Sequence, residues 1–220
     1  MSGCNWLLRV LVLGTALTLG GCFGWVDNNL TQLPTPWRRI QPAALPVTLP
    51  VSPQFPIIAA RARTTGAIYS SYNVVLGNPT LLPGENRLSI DVHTLPDGPL
   101  GMLIQPPRVF PVPLYSTETL AETLAKEFPG LKTKVADSGR RNRYGEYDYA
   151  LAQDATNTCV LAWQLISDHN RTLPRRIEAI RLEYRVCGTE RNPRALLQMF
   201  DALILTLPDS ILEIDDLTRL

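Results

Sequence analysis

Seven prolines lie within 23 residues of this chain, at positions 34, 36, 42, 46, 50, 53 and 56. Proline has no amide hydrogen to donate and biases the preceding residue toward an extended backbone, so this stretch can form neither an α-helix nor a central strand. We expect residues 23–56 to form a solvated, polyproline-type tether with a maximal reach of roughly 100 Å. The alternative is an irregular arm packed on the domain, for which Trp37, Ile40 and Phe55 could supply the contacts.

The first 22 residues have the pattern of a bacterial export signal. Arg9 is followed by an uncharged, largely apolar stretch, Val10–Leu19. A stretch of about ten residues is too short to span a bilayer, which takes roughly 20, but it suits the hydrophobic segment of a signal peptide. The tetrad Leu19-Gly20-Gly21-Cys22 resembles the lipobox of bacterial lipoproteins. The alternatives are an ordinary cleaved signal with a chance cysteine and an uncleaved anchor.

The lipobox resemblance implies that residues 1–21 are removed and that the thiol of Cys22 is acylated. Acyl chains acting together anchor a protein stably, where a single chain would be marginal. The protein would then be attached to a membrane of the cell envelope and would face the periplasm. Phe23 stands where an aspartate commonly retains such proteins in the inner membrane. We therefore expect the outer membrane to be its location.

Charge and composition disfavour several classes of function. Lysine and arginine number 21 against 20 aspartates and glutamates, so no charge excess favours binding to nucleic acid. Two histidines and four cysteines leave little material for a metal centre, and we expect no metal and no other cofactor. A length of 220 residues and a hydrophobic fraction of 45% are ordinary for one folded domain.

The pattern over residues 57–220 predicts one α+β domain, an antiparallel sheet with two helices. The predicted strands are Ile57–Arg63, Ile68–Leu76, Arg87–His93, Leu131–Val135, Tyr144–Ala152, Thr158–Ile166 and Arg176–Cys187. The last of these alternates apolar with charged residues, which indicates one buried face. The predicted helices are Thr117–Phe128, which Ser116 caps, and Arg194–Leu205, which follows Pro193.

Cys159 and Cys187 are the only cysteines after residue 22. One lies near the start of a predicted strand and the other at the end of the next, so antiparallel pairing would bring the two sulfurs together. In an oxidising periplasm such a pair forms a disulfide. Two buried reduced thiols are the alternative. A catalytic dithiol is disfavoured because the chain has no Cys-x-x-Cys motif.

The chain contains the segments Cys159-Val160-Leu161-Ala162-Trp163-Gln164, Ile180-Arg181-Leu182-Glu183-Tyr184-Arg185-Val186-Cys187 and Pro83-Gly84-Glu85-Asn86-Arg87-Leu88. These three segments resemble the BcsN family, an accessory protein family of bacterial cellulose biosynthesis. The resemblance covers roughly residues 57–207. It implies a role in making or exporting an exopolysaccharide, with other cellulose-synthesis or envelope proteins as partners. It offers no catalytic residues.

The residues themselves do not form a convincing active-site pattern. The chain has no Gly-x-Ser-x-Gly motif. Asp91 and His93 share a predicted strand face, and Asp168 adjoins His169, so a catalytic triad can be imagined. Solvated or hydrogen-bonded histidines explain these pairs better, because an isolated aspartate and histidine this close often occur by chance. We therefore expect no enzyme activity and no catalytic residues.

The segment Arg140–Tyr149 combines arginines with alternating tyrosines and acidic residues. Aromatic faces beside hydrogen-bonding side chains suit sugar rings, which have apolar CH faces and hydroxyl rims. Arg143, Tyr147 and Tyr149 are therefore candidates for contact with a polysaccharide or a partner protein. The alternative is that the tyrosines form ordinary cross-strand pairs within the sheet.

These patterns predict a non-enzymatic, periplasm-facing lipoprotein, and the BcsN resemblance implies that it assists cellulose or exopolysaccharide biosynthesis or export. The rival hypothesis is a pilot or assembly lipoprotein of an outer-membrane secretion complex. A hydrolase acting on the polymer is the third.

Replacing Cys22 with serine tests the lipid anchor. The variant Cys22→Ser should not be labelled when cells are fed radioactive palmitate, because the acylated thiol is gone, and its precursor should stay unprocessed. Labelling and processing are measured on immunoprecipitated protein. Normal labelling of the variant would contradict lipidation at this cysteine.

Overall fold

A large antiparallel sheet organises the chain. The structure, a computed structural model, describes residues 33–66, 68–95, 110–167, 173–174 and 176–207. The strands are β1 Arg38–Ile40, β2 Val47–Thr48, β3 Ile57–Thr65, β4 Tyr69–Leu76, β5 Asn86–Thr94, β6 Lys132–Val135, β7 Arg140–Asn142, β8 Gly145–Gln153, β9 Thr158–Ser167, β10 Ile177–Gly188 and β11 Ile204–Leu205. The helices are α1 Thr117–Glu127 and α2 Pro193–Asp201, with a 3₁₀ turn at Pro42–Ala44. The predicted α+β class is confirmed.

The main sheet has the strand order β1-β3-β4-β5-β10-β9-β8-β6, and β7 pairs with β8. The strand β10 lies inside the sheet and pairs antiparallel with both β5 and β9. As predicted, its apolar residues lie buried on one face; they are Ile180, Leu182, Tyr184 and Val186. Its charged residues Arg181, Glu183 and Arg185 therefore point to the opposite face. The sheet thus has one apolar and one polar side along this strand.

The main core lies on the apolar face, under α2. Asn192 caps this helix by accepting a hydrogen bond from Arg194 N at 3.0 Å, and Pro193 occupies its first turn. Leu196, Leu197, Met199 and Phe200 are buried against the sheet. Within the described ranges, no helix is long and apolar enough to cross a membrane.

The opposite face carries α1 and a smaller core. Ser116 caps the helix in a capping box with Thr119, as expected for a Ser at this position. Leu120, Leu124 and Phe128 project from the helix and its end onto β8, β9 and β10. The sheet is therefore covered on both sides where these three strands meet.

The proline-rich segment is part of the domain rather than a solvated tether. The strand β1 pairs antiparallel with β3, and β2 pairs with β11. Ile40, Leu45, Val47 and Phe55 are buried in the main core. The tether prediction is therefore wrong for residues 38–55, and the packed arm is correct. The prolines flank β1, an edge strand, where their missing amide hydrogens leave no gap in a ladder. The predicted tether's residues 23–32 lie outside the described residues.

The C-terminal helix is shorter than the predicted Arg194–Leu205. It ends at Asp201, and the chain then extends into β11. Leu203 is buried between the two elements. Pairing of β11 with β2 explains the difference, because β2 lies more than 150 residues earlier in the chain and leaves no local signal near β11.

A disulfide joins Cys159 and Cys187, as the sequence predicts. The two residues lie directly opposite each other on β9 and β10, and both are fully buried. On the other side of β10, the buried side chain of Asn86 accepts from Cys187 N at 2.8 Å and donates to its carbonyl oxygen at 3.0 Å. The end of β10 is thus fixed covalently on one side and by an amide side chain on the other.

Replacing both cysteines with alanine should lower the free energy of unfolding by about 3 to 4 kcal/mol, because the bond closes a 28-residue separation in the unfolded chain. Urea unfolding of the oxidised protein and the double variant measures this difference. Non-reducing mass spectrometry should find the two cysteine peptides joined. Two thiols that alkylate freely in the native protein would contradict the disulfide.

Candidate functional site

A row of hydrogen-bonded polar side chains crosses the face of the sheet opposite the main core. The strand register places Arg61, Asn73, Ser89 and Glu183 side by side on β3, β4, β5 and β10. Arg61 Nε donates to Asn73 Oδ1 at 3.2 Å, and Asn73 Nδ2 donates to Ser89 Oγ at 3.2 Å. Since each side chain has a partner in its neighbour, the first three members of the row form a fixed polar surface.

Arg185 is the most deeply buried charge on this face, with 1% of its surface exposed. Its guanidinium donates to the carbonyl oxygens of Pro83 at 2.7 Å, Glu85 at 3.0 Å and Glu127 at 3.0 Å. Its Nε lies 3.0 Å from Glu127 Oε2, an ion pair without hydrogen-bond alignment. Burial lowers the pKa of Arg185, and the charge of Glu127 opposes that shift. These contacts fix the β4–β5 turn and the end of α1 on β10.

Glu127 connects α1 to two arginines of the sheet. Arg87 binds both of its carboxylate oxygens, at 2.9 and 2.7 Å, and also lies 3.3 Å from Glu183. Burial would raise the pKa of Glu127, but the hydrogen bonds and charge of Arg87, with the charge of Arg185, outweigh it and lower the pKa. The Tyr115 hydroxyl donates to Glu183. Glu127 is therefore held ionised by its arginine partners, and Glu183 has hydrogen-bond partners within the protein.

The imagined triad around Asp91 and His93 does not form. Asp91 accepts two hydrogen bonds from Arg181, at 2.9 and 2.5 Å. His93 Nδ1 instead lies 2.8 Å from Glu178 Oε2, and burial lowers the pKa of His93 despite that carboxylate. The pair at residues 168 and 169 lies outside the described residues. The described residues contain no group of three or more His, Cys, Asp or Glu that could hold a metal ion.

A groove of about 800 Å³ lies between α1 and the β6–β8–β9 end of the sheet. Its aromatic lining is Tyr115, Phe128 and Trp163, and the rings of Tyr115 and Trp163 meet edge to face with their centroids 5.3 Å apart. Its polar lining comprises the Asp148 carboxylate and three hydroxyls, from Ser116, Thr117 and Thr133. The remaining lining is apolar or backbone, and no lysine or arginine is among its described lining residues. A volume of this size suits a small ligand or one segment of a polymer.

The structure corrects the predicted contact residues on β8. Tyr147 is buried, its hydroxyl donates to Asp201 of α2, and Arg140 binds both groups. The prediction that Tyr147 faces a ligand is therefore wrong, because α2 covers its side of the sheet. Tyr149 is half-buried against the same core, while Arg143 is exposed in the β7–β8 turn. The three predicted residues do not form one surface.

The groove and the polar row were not found by sequence reasoning. Successive members of the row are 12 and 16 residues apart, and Glu183 comes from a strand much later in the chain. Only the tertiary pairing of strands brings them together. Trp163 is 93% buried and lines the groove, so the sequence pattern of a buried strand residue does not distinguish it from the core. The predicted lipidation residue Cys22 lies outside the described residues.

Residues 47–211 match the family model described as cellulose biosynthesis protein BcsN. No curated protein and no solved structure gives a significant match to the chain. The matched range includes every strand from β2 to β11, both helices, the disulfide and the groove.

The lowered pKa of Glu127 predicts a pH dependence of stability. The unfolded chain takes up a proton near the ordinary carboxyl pKa of 4.5, whereas native Glu127 resists protonation until lower pH. Its stabilisation is therefore complete above that pH and is lost as the pH falls through the native pKa. Glu127→Gln should be less stable than wild type at neutral pH, and its unfolding free energy should fall less steeply between about pH 5 and pH 3.

Urea unfolding at several pH values measures both effects. Glu122→Gln, on the exposed part of α1, is the matched control and should follow the wild-type curve. Parallel curves for wild type and Glu127→Gln would contradict the role given to this carboxylate.

Proposed function

Because the chain belongs to the BcsN family of cellulose biosynthesis proteins, we propose that it assists cellulose production as a non-enzymatic lipoprotein facing the periplasm. The family match spans 165 of its 220 residues and assigns the protein to cellulose biosynthesis. In this proposal Cys22 carries the lipid anchor in the outer membrane. The domain then lies beside the proteins that make and export the polymer.

The buried disulfide between Cys159 and Cys187 is the observation that carries the periplasmic part of the proposal. Cytosolic thiols are kept reduced, whereas structural disulfides form and persist in the periplasm. The signal-like residues 1–22 supply an export route that fits this chemistry. Folding outside the cytoplasm accounts for both features at once.

The arginine contacts of the carboxylates on the polar face support a non-enzymatic role. A glycosidase needs a carboxylic acid with a raised pKa and a second carboxylate across a cleft. On the polar face, Asp91, Glu127 and Glu183 are each bound by an arginine. The pKa of Glu127 is lowered, the opposite of what proton donation requires. These groups stabilise the fold and the position of α1.

The groove beside α1 is the place where the structure best suits a glucan chain. A glucan offers apolar CH faces and a rim of neutral hydroxyls, which match an aromatic lining edged by hydroxyls and one carboxylate. An anionic polymer would meet Asp148 and no basic partner among the described lining residues. Binding a segment of neutral chain there would let the protein guide or organise cellulose without cutting it.

Deleting the gene in its host should reduce the amount of cellulose or change its organisation, and wild-type protein should restore it. Ala121→Lys should fail to restore it, because Ala121 is exposed on α1 and lines the groove, so a lysine there obstructs the groove without disturbing the core. Glu122→Lys places the same side chain on the adjacent exposed position, outside the groove lining, and should complement fully. Cellulose is measured as acid-insoluble glucose.

Purified wild-type protein should be retained on cellulose and release no reducing sugar from it, and Ala121→Lys should lose the retention. Cellulose that is unchanged in the deletion strain would overturn the proposed function, and a simultaneous defect in secretion of other proteins would favour an assembly role. Full complementation by Ala121→Lys would remove the groove from the proposal.

A further inference from the structure

One corner of the polar face combines an exposed tryptophan with three arginines. We call Trp37, Arg39, Arg61 and Arg63 the Trp37 corner. They lie at the β1–β3 edge of the sheet, where Arg39 of β1 stands opposite Arg61 of β3 in the strand register. The guanidinium carbons of Arg63 and Arg61 lie 4.5 and 5.5 Å from the centre of the Trp37 ring. The indole is 41% exposed although both cations contact it. The corner therefore presents an aromatic surface and positive charge together.

The positive charge of this corner exceeds what the described residues neutralise. Glu85 lies 3.1 Å from Arg61, and both side chains are substantially exposed. Arg39 is exposed and makes no ion pair or hydrogen bond within the described residues. Arg63 likewise has no carboxylate partner there, and its buried Nε lacks a hydrogen-bond acceptor. Three cations thus share one anion.

We propose that the Trp37 corner docks on the anionic headgroups of the membrane that holds the lipid anchor. Arginines beside a membrane are attracted to anionic lipid, and tryptophan favours the headgroup region, where its ring is apolar and its N–H is solvated. The charge of the corner is complementary to such a surface. A neutral glucan has no group that needs two additional guanidinium ions.

The position of the corner in the chain also favours the membrane. This argument rests on the proposed anchor at Cys22, because Trp37 follows it by only 15 residues. A fully extended segment of that length spans at most about 50 Å. The anchored end therefore keeps the corner within reach of the lipid surface and raises its effective concentration there.

Docking at this corner leaves the groove accessible. The edge strand β1 and the strand β6 beside the groove are the two ends of the sheet order, seven strand spacings apart. At about 4.8 Å per spacing they are separated by roughly 34 Å along the sheet. The domain would stand with one edge on the bilayer and the groove raised toward the periplasm.

The test uses the mature chain, residues 22–220 carrying Cys22→Ser, so that no acyl chain contributes. It is sedimented with vesicles of phosphatidylcholine, with or without phosphatidylglycerol. We expect binding only to the anionic vesicles, weakened by added salt. Arg39→Gln with Arg63→Gln should lower the partition coefficient at least tenfold, since each arginine at an anionic surface contributes roughly fivefold.

The matched control is Arg141→Gln with Arg143→Gln, two exposed arginines of the β7–β8 hairpin. It removes the same charge and should reduce binding less than about twofold. If the corner variant is misfolded by circular dichroism, Arg39→Gln alone replaces it, with an expected loss of roughly fivefold.

Three results would overturn the proposal. They are equal binding to neutral vesicles, equal losses in the corner and control variants, and a corner variant that loses cellulose retention instead of vesicle binding. The last would assign the corner to the polymer. Because the tested chain is unacylated, failure here is distinct from failure of the Cys22 anchor, which palmitate labelling measures, and from failure of the cellulose role, which gene deletion measures.

Discussion

The guanidinium of Arg185 needs partners where it lies, because a buried charge without them is too costly to keep. Its acceptors come from the β4–β5 turn and from the end of α1. Gly84 in that turn has φ +96°, and a Cβ there would lie 2.7 Å from Arg185 Nη2. The cation also lies at the negative end of the α1 dipole. One buried charge thus sets the position of α1, and the position of α1 forms the groove.

The features that the sequence predicted are those with a local signature. The alternation along β10 identifies its buried face, since period two is a property of any strand. Cys159 and Cys187 were predictable as a pair because they stand at the facing ends of two consecutive strands. The cap of α1 at Ser116 is equally local. Each depends on residues close together in the chain.

The features that it did not predict depend on distant partners. Proline excludes helices and central strands, but an edge strand such as β1 is compatible with it, and only the presence of β3 decides between arm and tether. For Tyr147, alternation identified the two faces of β8 without showing that α2 covers the face on which Tyr147 lies. Its partner Asp201 lies 54 residues later. The groove likewise requires α1 to be docked on strands that follow it in the chain.

The disulfide has a mechanical consequence, because it lies in the seam between β9 and β10. A tension applied between the β1 and β6 edges would act along the hydrogen bonds that join the strands and would load every ladder between them. At this seam a covalent bond bears the load. The outer ladder between β1 and β3 has just three paired residues on each strand, held by hydrogen bonds. The sheet would therefore yield at its margin while its centre stayed closed.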